Sequence, residues 1–309
     1  MGTDGMVIGV DLGGTNIHAG VVAGDGTLRE FLTRPYEQGS AAKVLEALSD
    51  AIRTLKDQYP QVRKVGVVAA GQIDRRTGTI LKPVNIAGVD KLPLVQALEE
   101  NTGLRVVCDN DAVGAALAEG WIGKAKNAAT FIAVTMGTGI GTGVVIDKRI
   151  FRGGLDLGCE WGHVGMSHDS LYRCGCGNLG CTETWCSASA LVQQARAKGM
   201  VVDSAMEVCR RAENDDPLAG EVMDEFARHL SLALYNYTII LNPEVIVIGG
   251  GLSASSYLFL PRARELLSER LRSRPYMLPP EGVVCSSFPG DAGVLGAAYL
   301  CMEGGRIKF

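Results

Sequence analysis

The sequence predicts an α/β protein with mainly parallel central sheets and antiparallel hairpins at the domain starts. Two observations carry this. Apolar, strand-like runs alternate with segments of helical periodicity along most of the chain. One pattern also occurs twice. Val10-Asp11-Leu12-Gly13-Gly14-Thr15 lines up with Val134-Thr135-Met136-Gly137-Thr138-Gly139, each an apolar strand with a polar residue at its end, a Gly/Thr turn and then a second strand. Two such hairpins so far apart point to duplicated domains.

The elements follow in order. MVIGVDLGGTNIHAGVV (6–22) reads as strand, tight turn, strand, with a third strand over 28–33. Over 41–59, Val44, Leu45, Leu48, Ile52 and Leu55 recur at helical spacing. A short buried strand is expected over 64–70, a helix over 94–101 ending near Gly103, and a strand over 105–108. DNDAVGAALAEGW then turns into an alanine-rich helix, and the domain boundary is placed just after Asp111. After the second hairpin (131–147) come helices near 188–197, 204–212 and 218–241. A strand over 244–248 runs into Gly249-Gly250-Gly251, followed by a helix over 258–271, a strand near Val283 and a last helix over 293–301.

The composition narrows the function classes. With 309 residues, 47% of them hydrophobic, the chain can bury a large core. Its 40 glycines cluster in loops beside apolar runs and form no collagen-like or linker repeat. The net charge of −4, with both signs interspersed, offers no basic stripe for nucleic acid. MGTDGMVIGV lacks the basic region of a signal peptide, and Met6 stands where a myristoylation motif needs Ser or Thr. No apolar run is long enough to span a bilayer. The expectation is a soluble, cytoplasmic protein without nucleic-acid or membrane partners. Of nine cysteines, Cys108, Cys159, Cys186, Cys209, Cys285 and Cys301 are scattered, mostly among apolar neighbours, and read as small buried hydrophobes.

Five stretches could carry chemistry. In DLGGTN (Asp11–Asn16), Gly13 and Gly14 let backbone N–H groups approach an anion, Thr15 adds a hydroxyl, and Asp11 could hold a metal bridging phosphate oxygens. An ordinary hairpin turn uses the same residue types. TMGTGIGTG (Thr135–Gly143) lacks the lysine of a Walker A loop and the spacing of a dinucleotide fingerprint, yet could cradle phosphate as well. Gly249–Gly251 follows a buried strand, where α/β sheets bind ligands, or is a plain strand-to-helix connector. In CDNDA, Asn110 and Asp111 are good helix caps, and Asp111 could also accept a proton from a substrate hydroxyl. Finally, Cys174, Cys176 and Cys181, with His163 upstream, make a Cys₃His set of the kind that closes a structural zinc site. A disulfide suits a cytosolic chain poorly, and Cys-x-Cys is too tight to bridge comfortably.

Together these residues resemble the ROK family of sugar kinases and related repressors over essentially the whole chain. DLGGTN (Asp11, Gly13, Gly14, Thr15, Asn16) is similar to the first phosphate motif, Thr135, Gly137, Thr138 and Gly139 to the second, and Gly249, Gly250 and Gly251 to the adenosine motif. GCEWGH resembles the family's E-x-G-H signature, and CGCGNLGCTE its zinc signature; these two in tandem are specific. Cys159 stands where the family has a small, unreactive residue, Trp161 fills the variable position, and Ala87-Gly88-Val89 replaces an aromatic near Asn85.

The resemblance implies an actin-like (ribonuclease H-like) two-domain ATPase fold with an interdomain cleft. Residues 1–111, joined by the C-terminal helix 293–309, would form a small domain, and 112–292 a large one carrying the zinc loop 163–183. It implies Asp111 as catalytic base, with Asn85, Asn110, Asp111, Glu160, His163 and Glu183 around the sugar hydroxyls. It also implies ATP with Mg²⁺, a structural Zn²⁺ held by His163, Cys174, Cys176 and Cys181, and a homo-oligomer, dimer or tetramer. The expected activity is transfer of the ATP γ-phosphoryl to the 6-hydroxyl of a hexose, glucose first. N-acetylmannosamine, N-acetylglucosamine and fructose are the alternative acceptors. The competing class is a sugar-sensing repressor, which in this family carries a helix-turn-helix before the first phosphate motif; here Asp11 stands almost at the start.

Overall fold

The computed structural model describes residues 5–37, 39–83, 91–167 and 172–303. The first half runs β1 (Val7–Leu12), β2 (Asn16–Val22), β3 (Leu28–Pro35), α1 (Ala41–Gln58), β4 (Lys64–Ala69), β5 (Gly71–Asp74), β6 (Thr79–Pro83), α2 (Leu94–Thr102), β7 (Arg105–Asn110) and α3 (Asp111–Trp121). The second runs β8 (Phe131–Met136), β9 (Ile140–Ile146), β10 (Arg149–Phe151), α4 (Glu183–Cys186), α5 (Ala188–Ala197), α6 (Ala205–Glu213), α7 (Pro217–Leu241), β11 (Val245–Gly249), α8 (Leu260–Arg270), β12 (Val283–Cys285) and α9 (Ala292–Glu303). No helix among the described residues is long and apolar enough to cross a membrane.

Two five-stranded sheets share one plan. The first has the order β3-β2-β1-β4-β7, the second β10-β9-β8-β11-β12. In the first, β1 and β2 form an antiparallel hairpin, while β1, β4 and β7 are parallel. In the second, β8, β11 and β12 are parallel. The duplicated hairpin thus heralds a duplicated sheet. A small β5-β6 hairpin adds to this plan; its turn is held by Asp74, whose Oδ1 accepts the Arg76 and Thr77 N–H groups.

The chain divides into two compact units, one of residues 1–127, 143–159 and 290–309, the other of 128–142 and 160–289. Asp111, after which the sequence places the boundary, lies inside the first unit, and α3 with it. The reason is packing: α3 lies along α9.

Period-two alternation explains the first unit. Ile8, Val10 and Leu12 of β1 and Val65, Val67 and Ala69 of β4 point into one core, where α1 contributes Val44, Leu48, Ile52 and Leu55 and α2 contributes Leu94 and Leu98. Ser40 caps α1 by accepting the Lys43 N–H. The opposite face of the sheet carries Gly9 and Gly66 instead, and α9 rests there. A Cβ on Gly9 would collide with the Val294 carbonyl oxygen, one on Gly66 with that of Ala297, and one on Gly296 with that of Gly114 in α3.

This packing is testable by urea denaturation. Gly66→Ala should destabilise by about 1–3 kcal/mol, the usual cost of overpacking. Gly220→Ala, on an exposed position of α7 with open space around it, should instead be neutral or stabilise by up to about 1 kcal/mol through helix propensity.

Candidate active site and metal centre

In the first unit, parallel strands bring the first glycine turn and the Asn110-Asp111 pair to the same edge of the sheet. Leu12 pairs with Ala69, and Ala69 with Asn110. The turn is closed by the Gly13 N–H donating to Asn16 O at 3.0 Å. Tyr36, just past the end of β3, braces it: its hydroxyl donates to Gly13 O at 2.7 Å and its N–H to Thr15 O at 3.2 Å. Asn16 Nδ2 donates to Thr15 Oγ1. Asn110 caps α3 by accepting the Ala112 N–H at 2.9 Å, and its Nδ2 donates to Gly71 O at 3.1 Å. Asp111 Oδ1 shares the same Ala112 N–H.

Both carboxyls are raised, each chiefly by burial. Protein atoms crowd Asp11, although part of its surface stays open, and this burial together with the nearby Asp111 pushes it up to about 7. Burial likewise raises Asp111, opposed by hydrogen bonds from the helix start. Asp11 packs directly on Gly293 in the first turn of α9, where any side chain would strike its carboxylate.

Beside them stands an ion cluster with no local sequence signal. Asp109 is almost fully buried and pairs with Arg152 at 2.5 Å and Arg75 at 3.1 Å. Asp156 pairs with both arginines from the outside. Asp109 Oδ1 also accepts the Asn110 N–H at 2.8 Å, so this cluster holds the residue that caps α3.

In the second unit, the other two glycine motifs are neighbours. Gly249 pairs in register with Thr135 at the ends of β11 and β8. Gly250 has φ 80° and sits against the Met136 backbone, where a Cβ has no room. The turn after β8 is closed by the Gly137 N–H donating to Gly139 O.

His163, Cys174, Cys176 and Cys181 come together with their ligand atoms within 4.8 Å of one another. His163 Nδ1 is 3.4 Å from Cys174 Sγ, and the Cys176 and Cys181 sulfurs are 3.7 Å apart. Tetrahedral zinc with ordinary bond lengths places two sulfurs about 3.8 Å apart and a sulfur and nitrogen about 3.5 Å apart. The donor set and spacing therefore fit structural zinc. With Nδ1 turned to the sulfurs, His163 keeps Nε2 for another partner. The loop is folded by Cys174 N–H to Asn178 O and Gly177 N–H to Cys174 O, both at 2.9 Å, and by bridges of Gly165 to Cys181 and Arg173 to Leu179.

Among the other predicted residues, Glu160 is exposed and immediately precedes the 3₁₀ turn Trp161–His163. Glu183 opens α4 and touches Cys174. Asn85 lies outside the described residues. Trp161 stacks against Tyr237 at 5.3 Å, and the Tyr237 hydroxyl donates to Trp161 O; its bulk is a packing feature. All nine thiols are free. Cys108, Cys186 and Cys209 are buried as expected, but Cys159, Cys285 and Cys301 are only partly so. Cys159 ends a surface segment with φ 70°, a conformation that suits glycine better, and its Sγ donates to Phe151 O.

Two predictions follow from this geometry. A carboxyl raised to about 7 takes up a proton on folding, so Asp11 makes the protein less stable as pH rises from about 4 to 7. Asp11→Asn removes that dependence. The melting temperature of the variant minus that of the native protein should grow from pH 5 to 7 and level off above. Cys176→Ala should abolish zinc retention through gel filtration, measured by atomic emission, while Cys209→Ser leaves it unchanged.

Comparison with known proteins agrees with these features. The ROK family profile matches residues 7–303. The glucokinase of Streptomyces coelicolor is 31% identical over 316 residues, covering 97% of this chain and 98% of its own. The N-acetyl-D-glucosamine kinase of Mannheimia succiniciproducens is 28% identical over 307 residues, covering 96% and 99%. The crystal structure of a ROK family glucokinase from Streptomyces griseus, in complex with glucose and AMPPNP, aligns with a TM-score of 0.84 at 30% identity, over 96% of this chain and 99% of that one. The fold is therefore the actin-like, ribonuclease H-like fold of those kinases, and the chain belongs to the ROK family.

Proposed function

We propose that this protein is an ATP-dependent hexokinase that phosphorylates the 6-hydroxyl of a hexose, with glucose as the first acceptor. The observation that carries the reading is the Asp11–Asp111 pair at the end of the first sheet, each carboxyl raised above its ordinary range, in a chain whose relatives include glucokinases.

In this reading Asp111 orients the acceptor hydroxyl and accepts its proton. The α3 cap fixes its backbone, and burial raises its proton affinity, which suits a base. Asn110, Asn85, Glu160, His163 and Glu183 bind the sugar hydroxyls, with His163 using the ring nitrogen that faces away from the sulfurs. The turns Gly13–Asn16 and Gly137–Gly139 bind phosphate oxygens, and Gly249–Gly251 the adenosine. Two crowded carboxylates make an oxygen donor set that fits a hard divalent cation. Asp11 would hold Mg²⁺, which when bound neutralises charge on the transferring phosphoryl group. The likeness to the Mannheimia succiniciproducens kinase supports N-acetyl-D-glucosamine as the second acceptor to consider.

The test is ADP release with MgATP against glucose, mannose, fructose, N-acetylglucosamine and N-acetylmannosamine. Turnover is expected on at least one sugar. Asp111→Asn, near-isosteric and still able to start α3, should lower it at least about a hundredfold. A variant that keeps substantial turnover removes Asp111 from its role, and silence on all five sugars by folded, zinc-loaded protein overturns the hexokinase reading.

A further inference from the structure

Glu183 stands where two motifs of the second unit meet. It follows Cys181, a member of the metal-binding set, by two residues, so the cluster that anchors Cys181 also anchors its backbone. Its two carboxylate oxygens are used separately. Oε1 lies 3.2 Å from Cys174 Sγ. Oε2 accepts the Ile140 N–H at 3.0 Å. Ile140 is the first residue of β9 and closes the second glycine turn.

That turn is built to admit the carboxylate. A Cβ on Gly139 would collide with Glu183 Oε2. The same stretch of chain takes up the turn's carbonyls. The Ala188 N–H donates to Gly137 O at 2.8 Å, and Ser189 Oγ donates to Thr138 O at 2.8 Å. The turn therefore makes three hydrogen bonds with the segment 183–189, and the carboxylate bond to Ile140 is the charge-assisted one, the stronger kind. A metal-bound Cys174 has no thiol proton to give Oε1, so in the loaded protein the carboxylate is held by the Ile140 N–H and by the backbone that Cys181 anchors.

We propose that Glu183 is a positioning residue that transmits the order of the cysteine loop to the second glycine turn. When the metal-binding set is intact, Glu183 is held in place and the turn with it. When the metal leaves, Cys174 and Cys181 lose their common anchor, Glu183 moves, and the Ile140 N–H is released. The consequence for nucleotide binding rests on the kinase reading above; the mechanical link does not. Under that reading, metal loss weakens nucleotide binding even where no sugar is present.

Hydrogen exchange of the peptide spanning 137–141 tests the link. Chelation with 1,10-phenanthroline should speed exchange there about tenfold or more in the native protein, the expected effect of losing one hydrogen bond to a charged acceptor. Metal-loaded Glu183→Ala should already exchange fast, and chelation should add nothing. Glu183→Gln should stay protected, because its amide oxygen can accept the same N–H. Gly139→Ala reaches the contact from the other side and should also lose protection while retaining zinc. Native exchange rates in metal-loaded Glu183→Ala overturn the proposal. If that variant does not fold, native rates in Gly139→Ala overturn it. AMPPNP affinity without sugar, by calorimetry, should fall in the same order. A native protein that shows the exchange pattern but binds no AMPPNP overturns the kinase reading and leaves the link standing.

Discussion

Helix α9 meets β1, β4 and α3 backbone to backbone, and the placement of Asp11 and Asp111 follows from that contact. Gly9, Gly66 and Gly296 are the points of approach. Close packing leaves no slack at them, since interiors are filled to crystal-like density. With α9 so close, its first turn reaches Asp11 through Gly293, and α3 is drawn against it. Asp111 is the first residue of α3 and Asp11 lies on β1, so one helix sets the position of both carboxylates. Their mutual repulsion is sustained by this packing: neither element can withdraw without opening the α9 interface.

The duplicated sheets solve one problem in two ways. Each must hold a glycine turn at the end of its first strand, and a glycine turn has little of its own to hold it. In the first unit Tyr36 does this with a hydroxyl and an N–H, binding the Gly13 and Thr15 carbonyls. In a trans peptide the carbonyl and the following N–H point opposite ways. Binding the Gly13 carbonyl on one side therefore directs the Gly14 N–H to the other. In the second unit the Gly137 and Thr138 carbonyls are bound in the same manner, by Ala188 and Ser189. Both braces fix turn orientation through carbonyls. The second turn also gives an N–H, that of Ile140, to a carboxylate that touches the cysteine loop.

What could be read from the sequence was whatever depends on short separations. The hairpins, the α1 periodicity, the Asn110 cap and the Cys₃His set are local patterns, and each is present in the fold. The β5-β6 hairpin was also legible, since Asp74 to Gly78 carries turn chemistry, but it was not among the expected elements. Long separations were not legible. Arg152 reaches Asp109 across 43 residues, as Glu183 reaches Ile140 across 43, and no period links them. The face that α9 presents was hidden for another reason. It is apolar nearly all round, so amphipathicity does not orient it. Cys159, Cys285 and Cys301 show the limit of reading burial from neighbours, because chain position within a strand end, a loop or a last helical turn decides exposure.

The Asp109 cluster shows what such long-range pairs do for the residues beside them. Burial raises Asp109, and Arg152 and Arg75 oppose that rise. A buried ion pair is a poor source of net stability, because desolvating both partners offsets most of their attraction. Its value lies in direction. Asp109 must be ionised to bind two guanidinium groups, and it must face them. With its Oδ1 also on the Asn110 N–H, it fixes the peptide immediately before Asp111. Removing Arg152 would leave a buried carboxylate with weaker compensation, and the cheapest relief would be protonation or rotation. Either change would loosen the Asn110 cap and let the start of α3 shift. An arginine far from Asp111 in sequence thus governs the angle at which Asp111 is presented, by holding the charge one residue beyond its cap.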